Sequence, residues 1–205
     1  MSIEKRFALD WEFQKDGFAR MPISVGLVSD TGKKFYAIFT DFDSSAAEAF
    51  VEKEVLPKLY AVDEDIEIFV GDTNEVASAL LEFIAPEEGK DILFYADQGG
   101  DDFTLLNMLI GGESGFAPKA IRELGGKYTD YRNVRDLRRS MEVKSFPEDI
   151  RRPPKEKSHI AIYDAEIVMK QLLWLDNVQQ ERNAKAAREL TLNISHAYLA
   201  GPELR

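Results

Sequence analysis

Apolar and polar positions alternate through the first forty residues, and then the period changes. Phe7-Ala8-Leu9, Ile23 to Val28 and Lys34 to Phe39 read as three strands, the last two joined by a Ser29-Asp30-Thr31-Gly32 turn. They predict an antiparallel meander. Asp43-Ser44-Ser45 then caps an amphipathic segment running through Glu54 and closed by Leu56-Pro57, and Asp72-Thr73 caps another from Asn74 to Ile84. Ile92 to Ala96 is a continuous apolar run of the buried-strand type, with a helix from Asp102 to Leu109 behind it.

A loop-rich stretch opens at Gly111-Gly112, and Tyr131 to Asp136 reads as a short strand whose Asp136 caps the next helix. Pro147 to Lys157, with Pro153-Pro154, cannot be an uninterrupted helix and reads as a mobile connection. From His159 onwards Ile162, Ala165, Val168, Met169, Leu172 and Leu173 recur mostly at helical intervals, giving one helix to about Leu175 and a second from Asp176-Asn177 to Leu199. Strands first, then strands alternating with helices, predict an α/β fold: a mixed sheet of three antiparallel strands plus parallel ones, flanked by helices. Ligands in such sheets favour strand ends and the crevices beside them.

A chain of 205 residues suits one α/β domain, read as residues 1–175 with 176–205 as its helical extension. No apolar stretch approaches the roughly 18 residues of a membrane span, and Met1 to Arg6 leads into strand-like sequence without a secretory signal, so a cytoplasmic protein is expected. The absence of cysteine excludes disulfides and thiolate metal sites, leaving oxygen ligands and the two histidines, His159 and His196. That donor set favours Mg²⁺ or Mn²⁺. The net charge of −11 argues superficially against nucleic acid, but Lys119 to Lys157 holds twelve Lys/Arg against seven Asp/Glu, or +5, leaving −16 elsewhere. Such a segment fits either a phosphate-lined path towards a metal or a solvated helix face.

Asp10-Trp11-Glu12-Phe13 places two carboxylates two positions apart at the end of an apolar run, on one side of the backbone. Their repulsion is relieved by a divalent cation, or the pair is simply a solvated turn. Further acids follow at Asp101 and Asp102, where helix capping is the plain alternative, and His159 precedes Asp164 by five residues.

In this order, Asp-x-Glu after the first strand, Asp after a later buried strand, and His-x-x-x-x-Asp match the motif set of the DEDDh 3′-to-5′ exonucleases. That family includes ribonuclease T, oligoribonuclease and the proofreading subunit of replicative polymerases. Ile23 to Val28, Tyr36-Ala37, Phe42-Asp43 and Val55 to Leu59 resemble its small bacterial and phage 3′-to-5′ exoribonuclease branch, and Tyr131 to Arg138 is similar to a stretch of a phage exodeoxyribonuclease. The resemblance spans about residues 7 to 175 and implies an RNase H-like fold holding two divalent cations. It makes Asp10 their bridge, Glu12 and Asp164 ligands of the ion that binds the attacking water, Asp102 a support for the second through water, and His159 the general base.

The family pattern has an aromatic or aliphatic residue before the middle aspartate, where this chain has Asp101. Asp102 is favoured because it puts Leu105, Leu106 and Leu109 on the packing face; Asp97 is a weaker substitute. Trp11 suits either the core or the terminal nucleotide, and Trp174 reads as packing. The expected activity is release of nucleoside monophosphates from RNA 3′ ends. A DNA exonuclease and a non-catalytic nucleic-acid-binding module are the alternatives. The smaller relatives are commonly homodimers, and the helix after Asp176 is the contact such a dimer suggests.

Overall fold

A computed structural model describes residues 4–17, 19–85, 91–110 and 129–199. The stretch at Gly111-Gly112 and the start of the basic segment, Lys119 to Lys127, lie outside them. The expected meander is present as β1 (Lys5–Asp16), β2 (Ala19–Ser29) and β3 (Lys34–Phe39), paired antiparallel. Three strands add in parallel: β4 (Ile68–Gly71) on β3, β5 (Ile92–Ala96) on β1, and β6 (Thr129–Asn133) on β5. The order across the described sheet is β4-β3-β2-β1-β5-β6. This is the expected mixed α/β sheet, widened by an edge strand, β4, that the sequence pattern does not announce.

The alternation of β1 divides the core into two layers. Phe7, Leu9 and Trp11 pack with α1 (Thr73–Ile84) and α2 (Gly100–Leu109), whereas Ala8 packs with the N-terminal half of α4 (Ala161–Leu199). A further short helix, α3 (Val134–Ser140), follows β6 directly. Asp72 caps α1 as expected, in a reciprocal capping box with Glu75. Among the described residues no helix is long and apolar enough to cross a membrane.

Four boundaries differ from the sequence expectation. The acids do not end β1, which continues to Asp16; what ends is its pairing with β5, which stops at Ala8 opposite Tyr95. Asp10 and Glu12 therefore face the crevice beyond the C-terminal end of β5, the usual ligand position in such sheets. The segment after Asp43 is not one amphipathic helix. It breaks into a 3₁₀ turn at Ser44–Ala46, a π turn at Val51–Val55 and a 3₁₀ turn at Leu56–Lys58. Gln14 grips its start, donating to the Ala46 carbonyl at 2.9 Å and accepting from the Glu48 N–H at 2.7 Å.

α3 begins after Asn133, so Asp136 lies inside its first turn instead of capping it. α4 runs unbroken through Asp176, whose carboxylate is engaged by Arg6 at 2.5 Å and caps nothing. The Pro147 to Lys157 connection holds a 3₁₀ turn at Glu148–Ile150, clasped by Gln171 of α4 through the Ile150 and Arg151 carbonyls at 2.9 and 3.3 Å.

Candidate active site

Period two puts Asp10 and Glu12 on the face of β1 that looks towards α4. Directly across the ladder from Asp10 stands Gly26 of β2. A Cβ there would fall 2.4 Å from the backbone N and Cα of Ile162, so only glycine lets the first turn of α4 rest on the sheet. That close approach carries Asp164 to β1. Carboxylate oxygens of Asp10, Glu12 and Asp164 come within 4.8 Å of one another.

Asp102 arrives from the other side, in the first turn of α2, where its carboxylate accepts the backbone N–H of Trp11. Its neighbour Asp101 turns away and pairs with Lys15 at 2.8 Å and Arg20 at 2.5 Å, on the β1–β2 hairpin. Asp97 forms an ion pair with Arg135. Asp101 and Asp102 point apart because they are neighbours on a helix, and Gly99, at φ +66, starts that helix in a left-handed turn where a Cβ would meet Phe103.

Burial raises every acid of the cluster, and repulsion by its neighbours adds to it at Asp10 and Glu12. Asp10 is held well above the usual carboxylate range, first by burial and then by Asp102, Asp164 and Glu12. Burial, with Asp164 and Asp102, pushes Glu12 up to about 8. Burial raises Asp102 and Asp164 to about 6 each, against hydrogen bonds from backbone N–H groups that pull them down. The cation that draws Glu12 and Asp164 back is Lys58. Four carboxylates with so little compensation cannot all ionise cheaply, and an all-oxygen donor set of this kind suits a hard divalent ion.

His159 has a left-handed backbone, φ 61, and its N–H donates to Asp164 at 3.1 Å. Its ring lies outside the converged carboxylates and meets the exposed Phe50 edge-on, centroids 5.1 Å apart. Burial, and then Lys58, lowers its pKa. Phe50 and Lys58 come from the segment between Ser44 and Lys58, which sequence reasoning left without a role. Three hydrogen bonds tie the end of that segment and the loop after it to β3 and to the start of α4: Tyr36 Oη to the Leu59 carbonyl at 2.9 Å, Lys58 Nζ to the Ser158 carbonyl at 3.1 Å, and the Asp63 N–H to Tyr163 Oη at 2.7 Å. The visible signal was Pro57-Lys58 in the string resembling the exoribonuclease branch; nothing marked Phe50. Trp11 stacks on Phe39 at 5.8 Å and is core. Trp174 packs edge-on against Phe146.

Two clefts meet at Asp10. One, of about 600 Å³, runs along Phe13, Gln98 and Asp102 to Asn133. The other, of about 510 Å³, runs between α3, the turn after it and the start of α4.

No family model matches the chain. Two curated relatives, 3′-5′ exoribonucleases of Mycobacterium tuberculosis strains CDC 1551 and H37Rv, are each 30% identical to it over 161 residues, covering 78% of this chain and 86% of theirs. The chain belongs to the DEDD superfamily of 3′-5′ exonucleases. Among solved structures, S. pombe Pop2p in its Mg²⁺- and Mn²⁺-bound form aligns with a TM-score of 0.50 at 16% identity, covering 82% of this chain and 81% of that one. That likeness is one of fold, and the mixed sheet is RNase H-like. In this DEDD chain the acids converge where β1 outruns β5, and His159 flanks them from the start of α4.

Proposed function

We propose that Asp10, Glu12, Asp102 and Asp164 hold two divalent cations and that His159 is the general base of phosphodiester hydrolysis at RNA 3′ ends. The chain is a metal-dependent 3′-5′ exoribonuclease. The observation that carries the assignment of roles is the convergence of Asp10, Glu12 and Asp164 within 4.8 Å. Mg²⁺ or Mn²⁺ bound there would polarise the phosphoryl oxygens and make water more acidic. Pop2p was solved with both metals, which agrees with the donor set here.

Asp10, which feels the charges of Asp102, Asp164 and Glu12 alike, is the shared ligand in this reading. A water oxygen attacks phosphorus and the bond from phosphorus to the 3′ oxygen of the upstream nucleotide breaks. A nucleoside 5′-monophosphate leaves, and the strand keeps a new 3′ hydroxyl. His159, whose lowered pKa keeps it neutral, accepts the proton of the attacking water. Phe50 packs edge-on against the ring that would take this proton. RNA is favoured over DNA because both curated relatives are named exoribonucleases.

The test incubates 5′-labelled RNA and DNA of one sequence with Mg²⁺, Mn²⁺ or chelator. A metal-dependent ladder shortening from the 3′ end, faster on RNA, is expected. DNA cut faster than RNA would transfer the assignment to an exodeoxyribonuclease, and no cleavage of either strand would remove the hydrolase reading.

A further inference from the structure

The second cleft has an acidic inner end, at Asp10 and Asp164, and an arginine-lined outer part. Arg138 and Arg139 come from the last turn of α3, and Arg151 and Arg152 from the turn that Gln171 clasps. Arg138 is fixed by partners that leave its charge intact: it donates to the Lys144 carbonyl at 2.6 Å and lies over the Phe146 ring at 5.6 Å. Arg152 has no ion-pair partner among the described residues. Arg151 pairs with Glu148 at 2.9 Å, a carboxylate 81% exposed and therefore well screened.

These guanidinium groups are not the counter-charge of the acid cluster. Lys58 fills that place for Glu12 and Asp164, and Arg135 is committed to Asp97. The cleft along α2 has mixed walls: Asp97 and Asp136 line it paired with Arg135 and Arg139, Asp101 is held by Lys15 and Arg20, and Asp102 belongs to the acid cluster. The guanidinium groups not committed to a buried acid lie between α3 and α4, where their planar forks match phosphate oxygens.

We infer that the cleft between α3 and α4 binds the phosphate backbone of the strand on the 5′ side of the scissile bond, through Arg138, Arg151 and Arg152. This rests on the hydrolase reading above and gives it a direction: the strand leaves past the arginines while the terminal nucleoside occupies the α2 side. Substrate length then matters, because a mononucleotide ester reaches none of the three. The basic segment seen in the sequence is in part this phosphate path, although its first residues lie outside the described chain.

The experiment compares the wild type with Arg151→Ala/Arg152→Ala and with Arg152→Glu alone, whose native side chain has no partner to lose. Binding of a fluorescein-labelled ten-nucleotide oligoadenylate is followed by anisotropy in Ca²⁺ over a salt series. Initial rates in Mg²⁺ are measured on the same oligonucleotide and on the p-nitrophenyl ester of thymidine 5′-monophosphate. For the double variant we expect Kd and KM for the oligonucleotide to rise about tenfold with kcat kept, and the salt slope to fall by about 1.4, at about 0.7 per phosphate contact. Arg152→Glu should move both in the same direction, and turnover of the ester should change less than about twofold, since it carries no upstream phosphate. Unchanged Kd and salt slope, or equal losses on oligonucleotide and ester, would overturn the assignment. A wild type that binds through these arginines yet hydrolyses neither substrate would sink the hydrolase reading and leave the cleft assignment standing.

Discussion

The two faces of β1 share a spacing and little else. Phe7, Leu9 and Trp11 are 0%, 0% and 4% exposed and form part of a continuous apolar layer. One residue along from Leu9 and from Trp11, Asp10 and Glu12 bring carboxylates into a cluster that raises their pKa values. One face stabilises the fold; the other works against it until a cation arrives. Alternation makes this arrangement workable, because side chains one residue apart on a strand share few neighbours. The fold can therefore carry an unfavourable site without loosening its core.

The sharpest way to break the comparison is Asp10→Asn. Removing the proposed shared ligand should forfeit several kcal/mol of charge stabilisation in the transition state, so cleavage of labelled RNA should fall at least about a thousandfold, equivalent to about 4 kcal/mol. The same variant should melt higher than wild type in chelator at pH 8, because a repelling charge is gone; a lower midpoint would mean that Asp10 is a structural group. Leu9→Ala is the converse experiment on the apolar face. It should cost about 2–5 kcal/mol in urea unfolding, while the rate per folded molecule stays within about twofold because the site lies across the sheet.

Gly26→Ala joins the two faces. Its Cβ would drive into Ile162, and overpacking of that kind costs about 1–3 kcal/mol. Since the displaced turn carries Asp164, the rate should drop about a hundredfold even below the melting transition. An alanine variant with native activity would show that α4 does not need that contact.

Metal and pH sharpen the picture at smaller amplitude. Glu12 is raised from 4.5 to about 8, so the folded protein holds a proton that the unfolded chain releases. The resulting penalty is absent below the unfolded value, grows as pH rises from 4.5 and is complete above about 8. Mg²⁺ or Mn²⁺ should therefore raise the thermal midpoint more at pH 8 than at pH 5.5, and equal gains would contradict the repulsion account. For His159 the shift is downward from 6.5, and the proposed base would act when neutral. At saturating Mg²⁺ the acid limb of kcat should have its midpoint below 6.5. A midpoint above that value, or an unchanged limb in His159→Gln, would remove His159 from the role.

Much of the site could be read before any coordinates. Asp10 and Glu12 share a face by period two, and the order of acids and histidine pointed to the superfamily that the relatives bear out. The segment from Ser44 to Lys58 resisted the same reading. Its amphipathic pattern suggests a helix, but Gln14, Tyr36 and Ser158, distant in sequence, fix it as separate turns. Lys58 and Phe50 reach the site only through that folding. The break foreseen at Asp176 fails for a related reason: an Asp that looks like a cap is claimed by Arg6, 170 positions away in sequence.

The sequence by itself determined the strand meander, the all-oxygen character of any metal site and the order of the chemical groups, because these depend on local periodicity and residue type. Only the tertiary structure decided which of Asp101 and Asp102 faces Asp10 and how far each carboxylate is pushed from its ordinary pKa. It also decided where a run of arginines opens beside the acids. Those properties depend on burial and on partners many residues apart, and a one-dimensional pattern carries no measure of either. The pairing of Gly26 with Asp10 joins the two levels: a glycine in a strand pattern is visible in the chain, and the helix it admits is visible only in the fold.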